Sequence, residues 1–424
     1  MKTLGIIAEY NPFHKGHKYH LNQSLAKTEA EATICIMSGN FLQRGTPALI
    51  NQFSRAEIAL QEGVDLVIQL PVSYTIRSAP NFAFGAVKLL DATGIVDYIS
   101  FGSESGNLNI LTKLAELLAE EPEELSKQIT DNLATGLSYP KATAKAVITY
   151  LKKDKERIEL KKYQQALNSP NNILGIEYLK ALNKLDSSIL PVTIKRKGSG
   201  YHDKKIKSFP SATAIRNKIK LNKTNNLSKE IKDNLPTISF QILQRELQLN
   251  RGPIFFESFT QQILTLLRRI NRQELNNYED VAKGLNNRIK SAAKKATDLT
   301  ELLNLIKTKC YTQMRIQRII AQILIDLKAN LLEEFDRVGG PQYFRVLGFT
   351  KKGQKLLSQI KEKADIPIIT KVADYYKSNY DLDTPLKKML KTDITANNIY
   401  NLAYPNQKYR CGGSDFRQHP IIID

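Results

Sequence analysis

The stretch TLGIIAEYNPFHKGHKYHL, residues 3–21, decides the fold. TLGIIAEY reads as a β-strand over 3–10, and Asn11-Pro12 ends it, because proline removes a backbone donor and biases its neighbour away from helix. Gly16 permits close backbone approach where a helix starts at about His17. A strand, a short loop and a helix N-terminus make a site for anions, since the helix start offers free N–H groups and partial positive charge. His14 and His17 add donors suited to a phosphorus centre whose oxygens gain charge during transfer.

Outward from this loop, the first 220 residues alternate short β-branched runs with amphipathic helical patterns. Strands are expected at 32–39, 64–71, 96–104 and 189–196. Helices are expected in HKYHLNQSLAKT, in SRAEIALQEG with Ser54 as N-cap, and in NFAFGAVKLLDATG. Strands apolar on both faces and separated by helices imply a doubly wound parallel sheet, with ligands beyond the carboxyl ends of its strands. From about Leu227 the periodicity becomes helical, as in ESFTQQILTLLRRI and MRIQRIIAQILIDLKANLLEEF. GGPQYFRVLGFTKKGQKLL and the tail look turn-rich, and no internal repeat is present. The expected organisation is therefore an α/β catalytic domain over 1–225 and a mainly helical, basic domain over 226–424.

The 424 residues carry 62 Lys+Arg against 42 Asp+Glu, a net charge of +20 spread over both halves, which points to a polyanionic partner. Apolar runs fall short of the roughly 20 residues a membrane span needs. An acid and Asn-Pro follow the first short apolar run where a signal peptide would continue, so a cytoplasmic protein is expected. Cys35, Cys310 and Cys411 are too few and too scattered for a disulfide framework or a four-ligand zinc site. A zinc reading of His14, His17 and His20 lacks a nearby acidic or cysteine ligand set.

A second stretch, SFPSATAIRNKI at 208–219, places Ser211 and Thr213 before a helix that carries Arg216. Hydroxyls at a helix start bind backbone N–H groups or phosphate oxygens, and a guanidinium can grip two phosphates at once. Taken alone, this is an ordinary N-cap with a surface arginine. Beside His14-x-Gly16-His17 it resembles the second signature of the HxGH nucleotidyltransferase superfamily, the relatives of class I aminoacyl-tRNA synthetases.

GIIAEYNPFHKGHKYHL, MSGNFLQRGTPALINQFSRAEIAL, GVDLVIQLP, FGSE, SPNNILGIEYLKAL, IKRKGSGYHD and SFPSATAIR together resemble the bacterial tRNA(Met) cytidine acetate ligase family. The resemblance implies a nucleotidyltransferase-type (HUP-like) fold and ATP-dependent activation of acetate as acetyl-adenylate. The acetyl group then passes to N4 of the wobble cytidine of elongator tRNA(Met). It implies that His14, His17, Ser211, Thr213 and Arg216 are catalytic. ATP is implied to lie against Ile7, Ala8, Glu9, Tyr10, Asn11, Pro12, Phe13, His14, Lys15, Gly16, His17, Lys18, Tyr19 and His20, and against Gly102, Asn172 and Arg196. Asn171 is open as a substitute for Asn172, and Lys195 or Lys197 for Arg196. Mg2+ is expected to bridge the phosphates. SGNFLQRGTP (38–47) can enclose acetate without the sequence singling out which of its residues do so, and Arg44 and Arg55 are each either an anion contact or a salt-bridged surface residue.

Residues 281–320 hold nine basic residues, Lys283, Arg288, Lys290, Lys294, Lys295, Lys307, Lys309, Arg315 and Arg318, against Asp298 and Glu301. They form either a solvated helix face or an RNA-facing surface, and the resemblance implies that it meets tRNA, with Tyr311 placed either to stack on a base or to pack in the core. Two readings compete: a nucleotidyltransferase acting on a phosphomonoester, and an RNA-binding protein with a vestigial nucleotide site.

Overall fold

The computed structural model describes residues 1–152, 157–197, 210–222, 226–282, 284–378 and 383–424. Among these residues eight strands form one sheet: β1 (Thr3–Ala8), β2 (Ala32–Ser38), β3 (Leu66–Leu70), β4 (Tyr98–Ser103), β5 (Leu190–Lys195), β6 (Phe344–Thr350), β7 (Ile368–Ile369) and β8 (Ile421–Ile423). Their order is β5-β4-β1-β2-β3-β6-β7, with β8 also paired to β6. β1 to β5 are mutually parallel, in register Ala8, Met37, Gln69 across β1, β2 and β3. Every residue of β2 is buried, as expected of a strand covered on both faces. Ile34, Ile36, Leu66, Ile68 and Leu70 enter one core; Leu4, Ile6, Cys35, Met37 and Val67 enter the other. Each such side chain stabilises the fold by about 1.5–3 kcal/mol when fully buried.

The sheet does not end at residue 225. β6 lies antiparallel beside β3, with Arg345 opposite Gln69. The turn-rich look of GGPQYFRVLGFTKKGQKLL conceals this strand and the helix Lys351–Lys363. Gly339 and Gly340 take positive φ and make the turn, and the next residues alternate too little to show a period. The remainder of the second half is largely helical. The long pattern over 314–335 is two helices, Gln313–Leu324 and Ala329–Arg337, because Asp326 adopts φ 54° and breaks the run.

Among the contacts that fasten the helical part to the sheet, two are set by Arg77 and Gly45. Arg77, 4% exposed, pairs with Glu279 at 2.6 Å and Asp336 at 2.8 Å. Gly45, at φ 75°, lies so close to the helix Gln313–Leu324 that a Cβ would overlap the Arg318 backbone nitrogen. Among the described residues no helix is long and apolar enough to cross a membrane.

Candidate active site

The chain runs outward from β1 to β2 and β3, then jumps to β4 on the other side of β1. A cleft therefore opens between the loops that follow β1 and β4, the switch point where open α/β sheets bind ligands. Helix α1 (Lys15–Thr28) begins two residues earlier than the sequence suggests, with His14 itself as N-cap. The Gly16 N–H donates to His14 Nδ1 at 3.0 Å, and the His14 N–H donates to His17 Nδ1 at 3.2 Å. The two rings stack, 3.9 Å between centroids. This reciprocal capping box satisfies two helix-start donors with imidazole nitrogens in the role usually taken by Ser and Glu.

The cap also fixes the chemistry of both rings. A nitrogen that accepts a backbone N–H holds no proton, so each neutral imidazole carries its hydrogen on Nε2. Burial, with Arg196 and then Arg216 nearby, lowers His14 from 6.5 to about 4. Burial, followed by His14 and Arg196, holds His17 well below its ordinary value. At neutral pH the pair is a set of two uncharged N–H donors.

The rest of the loop divides into residues that brace and residues that face outward. Tyr10, Asn11, Pro12 and Phe13 are buried. Tyr10, at φ 47°, packs its ring on Phe13 and His17; Asn11 Oδ1 accepts from the Leu49 N–H at 2.8 Å, and the Phe13 carbonyl accepts from Ser239. Lys18 is engaged by Glu62. His20 joins α1 to β4 through Ser100 at 3.2 Å, and burial lowers it to about 4. Ile7, Ala8, Glu9, Lys15, Gly16 and Tyr19 keep exposure at the cleft end of the sheet or on the first turns of α1.

SATAIR comes to this loop from far along the chain. Ser211 caps the helix Ala212–Leu221 through the Ala214 N–H at 3.2 Å. Arg216 donates to the Asn11 carbonyl at 2.7 Å and to Thr213 Oγ1 at 3.0 Å. Its remaining N–H groups and its charge stand beside the HxGH turn.

On the β4 side, Gly102, Asn171, Asn172 and Arg196 lie close together. Arg196 lies across Gly102, where a Cβ would meet its Cγ at 3.3 Å, and donates to Asn171 Oδ1 at 3.4 Å. The two asparagines are not equivalent. Asn172 is 1% exposed, and its Oδ1 accepts from the Glu104 and Ser105 N–H groups at 2.9 and 3.2 Å. Asn171 is half-buried on the Arg196 side. Glu104 caps the helix Pro170–Lys184 by accepting from the Asn171 and Asn172 N–H groups. Lys195 packs against Gly106, and Lys197 lies over the Tyr19 ring at 4.3 Å; GSGYHD lies outside the described residues.

Arg55 is not an open anion contact. It is fully buried and donates to the carbonyls of Ile50 at 3.2 Å, of Glu9 at 2.6 Å and of Gly39. It thereby ties the end of β1 to the end of β2. The helix that carries it, α2 (Gln52–Gln61), is capped by Asn51 and not by Ser54, because Asn51 Oδ1 accepts from the Phe53 and Ser54 N–H groups. Arg44 is exposed, and its charge reaches Arg216.

The basic run over 281–320 splits as well. Arg288 donates to the Ile306 and Lys307 carbonyls, and Lys290 to those of Leu267, Arg268 and Ile270, so both close helix C-termini. Arg315 and Arg318 face Asp280, with Arg315 over a half-buried Tyr311. Lys294, Lys295, Lys307 and Lys309 are exposed, and Lys283 lies outside the described residues.

Uncharged donors on a helix start, an arginine joined to the same loop and a parallel-sheet switch point define an α/β nucleotidyltransferase. The HIGH Nucleotidyl Transferase profile matches residues 1–415, and the chain belongs to that family. It is 43% identical, over 424 residues and the whole of both chains, to the tRNA(Met) cytidine acetate ligase of Acetivibrio thermocellus. It is 44% identical over 423 residues to the ligase of a Thermoanaerobacter species, again over all of each chain. Among solved structures it resembles Thermotoga maritima TmcAL bound with alpha-thio ATP, at TM-score 0.91 and 39% identity with both chains covered throughout.

Proposed function

We propose that this chain uses ATP to activate acetate as acetyl-adenylate and acetylates N4 of the wobble cytidine of elongator tRNA(Met). The observation that carries the reading is the intact pair of signatures, HxGH and SATAIR, joined by the Arg216 to Asn11 hydrogen bond. They stand in a chain that matches named ligases end to end.

In the first step an acetate oxygen attacks the α-phosphorus and the bond to the β-phosphate oxygen breaks. The Nε2–H groups of His14 and His17 donate to the α-phosphate oxygens as they gain charge, with no proton transferred. Arg216 grips the departing diphosphate beside the hydroxyls of Ser211 and Thr213. Gly102 admits the nucleoside, and Arg196 with Asn171 covers it, while Asn172 holds the loop after β4 in place. Among the described residues no group of three or more His, Cys, Asp or Glu could cage a metal ion. Mg2+ carried on the ATP phosphates would neutralise part of their charge. In the second step the cytidine amine attacks the acetyl carbonyl and AMP leaves. Lys294, Lys295, Lys307 and Lys309 supply phosphate contacts for the tRNA.

The test is transfer of labelled acetate to tRNA(Met) by the purified protein. Label that requires ATP and maps to the wobble cytidine is expected. Adenylylation of a phosphomonoester in its place would contradict the reading.

A further inference from the structure

The second step must dispose of a proton. Cytosine N4 shares its lone pair with the ring and is a poor nucleophile. Once it has added to the acetyl carbonyl, the adduct collapses back unless the nitrogen is deprotonated before AMP departs. The histidines of the HxGH turn are unsuited to accept that proton, because both Nδ1 atoms accept backbone N–H groups and Nε2 already carries hydrogen.

The carboxylates near the cleft are few. Among the described residues, the loop after β2 (39–51) and the loop after β3 (71–78) contain no acid. Glu104, after β4, is fully engaged: Oε1 accepts from Asn171 at two points and Oε2 from the Asn172 N–H. Glu9, first residue beyond β1, is different. Its carbonyl is held by the buried Arg55, and its Oε1 accepts from the Gln43 N–H at 2.9 Å. No hydrogen bond or ion pair reaches Oε2 among the described residues. The side chain is half-buried, and its charge is felt by Arg216, which places it in the same cleft as the diphosphate grip.

On the reading that this site makes acetyl-adenylate and passes the acetyl group to cytidine, we propose that Glu9 is the base that accepts the N4 proton. The nitrogen attacks the acyl carbon, Glu9 Oε2 takes the proton from the adduct, and the bond between acyl carbon and phosphate oxygen breaks, releasing N-acetylated cytidine and AMP. Arg55 and the Gln43 N–H act as positioning groups that fix the carboxylate.

Glu9→Gln separates this role from others, because its amide oxygen can still accept from Gln43. Acetate-dependent exchange of diphosphate into ATP reports the first step, and single-turnover transfer from preformed acetyl-adenylate to tRNA reports the second. The variant is expected to lose at least ~10^2-fold more in transfer than in exchange, with Glu9→Asp recovering part of the transfer rate. Equal losses in both steps would assign Glu9 to the nucleotide and overturn the proposal, as would unimpaired transfer. Absence of acetate-dependent exchange in the unmodified protein would instead remove the reading on which the proposal rests.

Discussion

His14 and His17 show how a local spacing can carry chemistry. Three residues apart at a helix start, each ring accepts a backbone N–H, and the cap itself leaves both rings neutral, with Nε2–H as the donor each has to offer. If these N–H groups serve the α-phosphate as proposed, replacing either histidine by alanine should lower adenylate formation by ~10^2-fold or more; undiminished exchange in both variants would contradict the assignment. The pH dependence of stability follows from the same burial. Unfolded histidines titrate near 6.5, whereas His14 and His20 accept protons in the fold only at about 4. Between those values the unfolded chain binds more protons. The fold is thus fully supported above pH ~6.5 and loses stability as pH falls towards 4. Denaturant midpoints at pH 7 and pH 4.5 should show that loss, and His20→Gln should reduce it. The spacing of this pair was legible because it is local. The placement of Glu9 and Arg55 was not, since it depends on carbonyls and N–H groups at positions 39, 43 and 50 that only the folded chain brings near.

At the scale of elements, the five parallel strands were readable because continuous β-branched runs between helices leave few alternatives. β6 was hidden by flanking glycines and by an antiparallel partner far away in sequence, with Leu66 opposite Phe349 and Val67 opposite Gly348. Asn171 and Asn172, adjacent in sequence, part company in the fold because the loop at Glu104 and Ser105 draws Asn172 inward. The join between loop 39–51 and the helix Gln313–Leu324 rests on Gly45. A side chain there would meet the Arg318 backbone and would also strain φ 75°. Gly45→Ala should destabilise the protein by ~1 kcal/mol or more, read as a lower unfolding midpoint. An unchanged midpoint would show that the two elements are not held so closely.

For the whole molecule, the charge of +20 has two uses. Arg288 and Lys290 close helix ends, and Arg77 fastens the helical part to the sheet; Lys294, Lys295, Lys307 and Lys309 face solvent. Reversing these four lysines to glutamate should weaken tRNA binding and flatten its salt dependence, by a log–log slope of roughly 0.7–0.9 for each phosphate that is no longer neutralised, while exchange without tRNA stays near its original rate. Arg288→Ala should instead lower the unfolding midpoint. The reverse pattern would move the tRNA face elsewhere.

The central claim is activation of a carboxylate by an HxGH nucleotidyltransferase site, and exchange of labelled diphosphate into ATP with and without acetate tests it most directly. The account predicts exchange that requires acetate and proceeds without tRNA. Exchange that ignores acetate and responds to a phosphomonoester would contradict it.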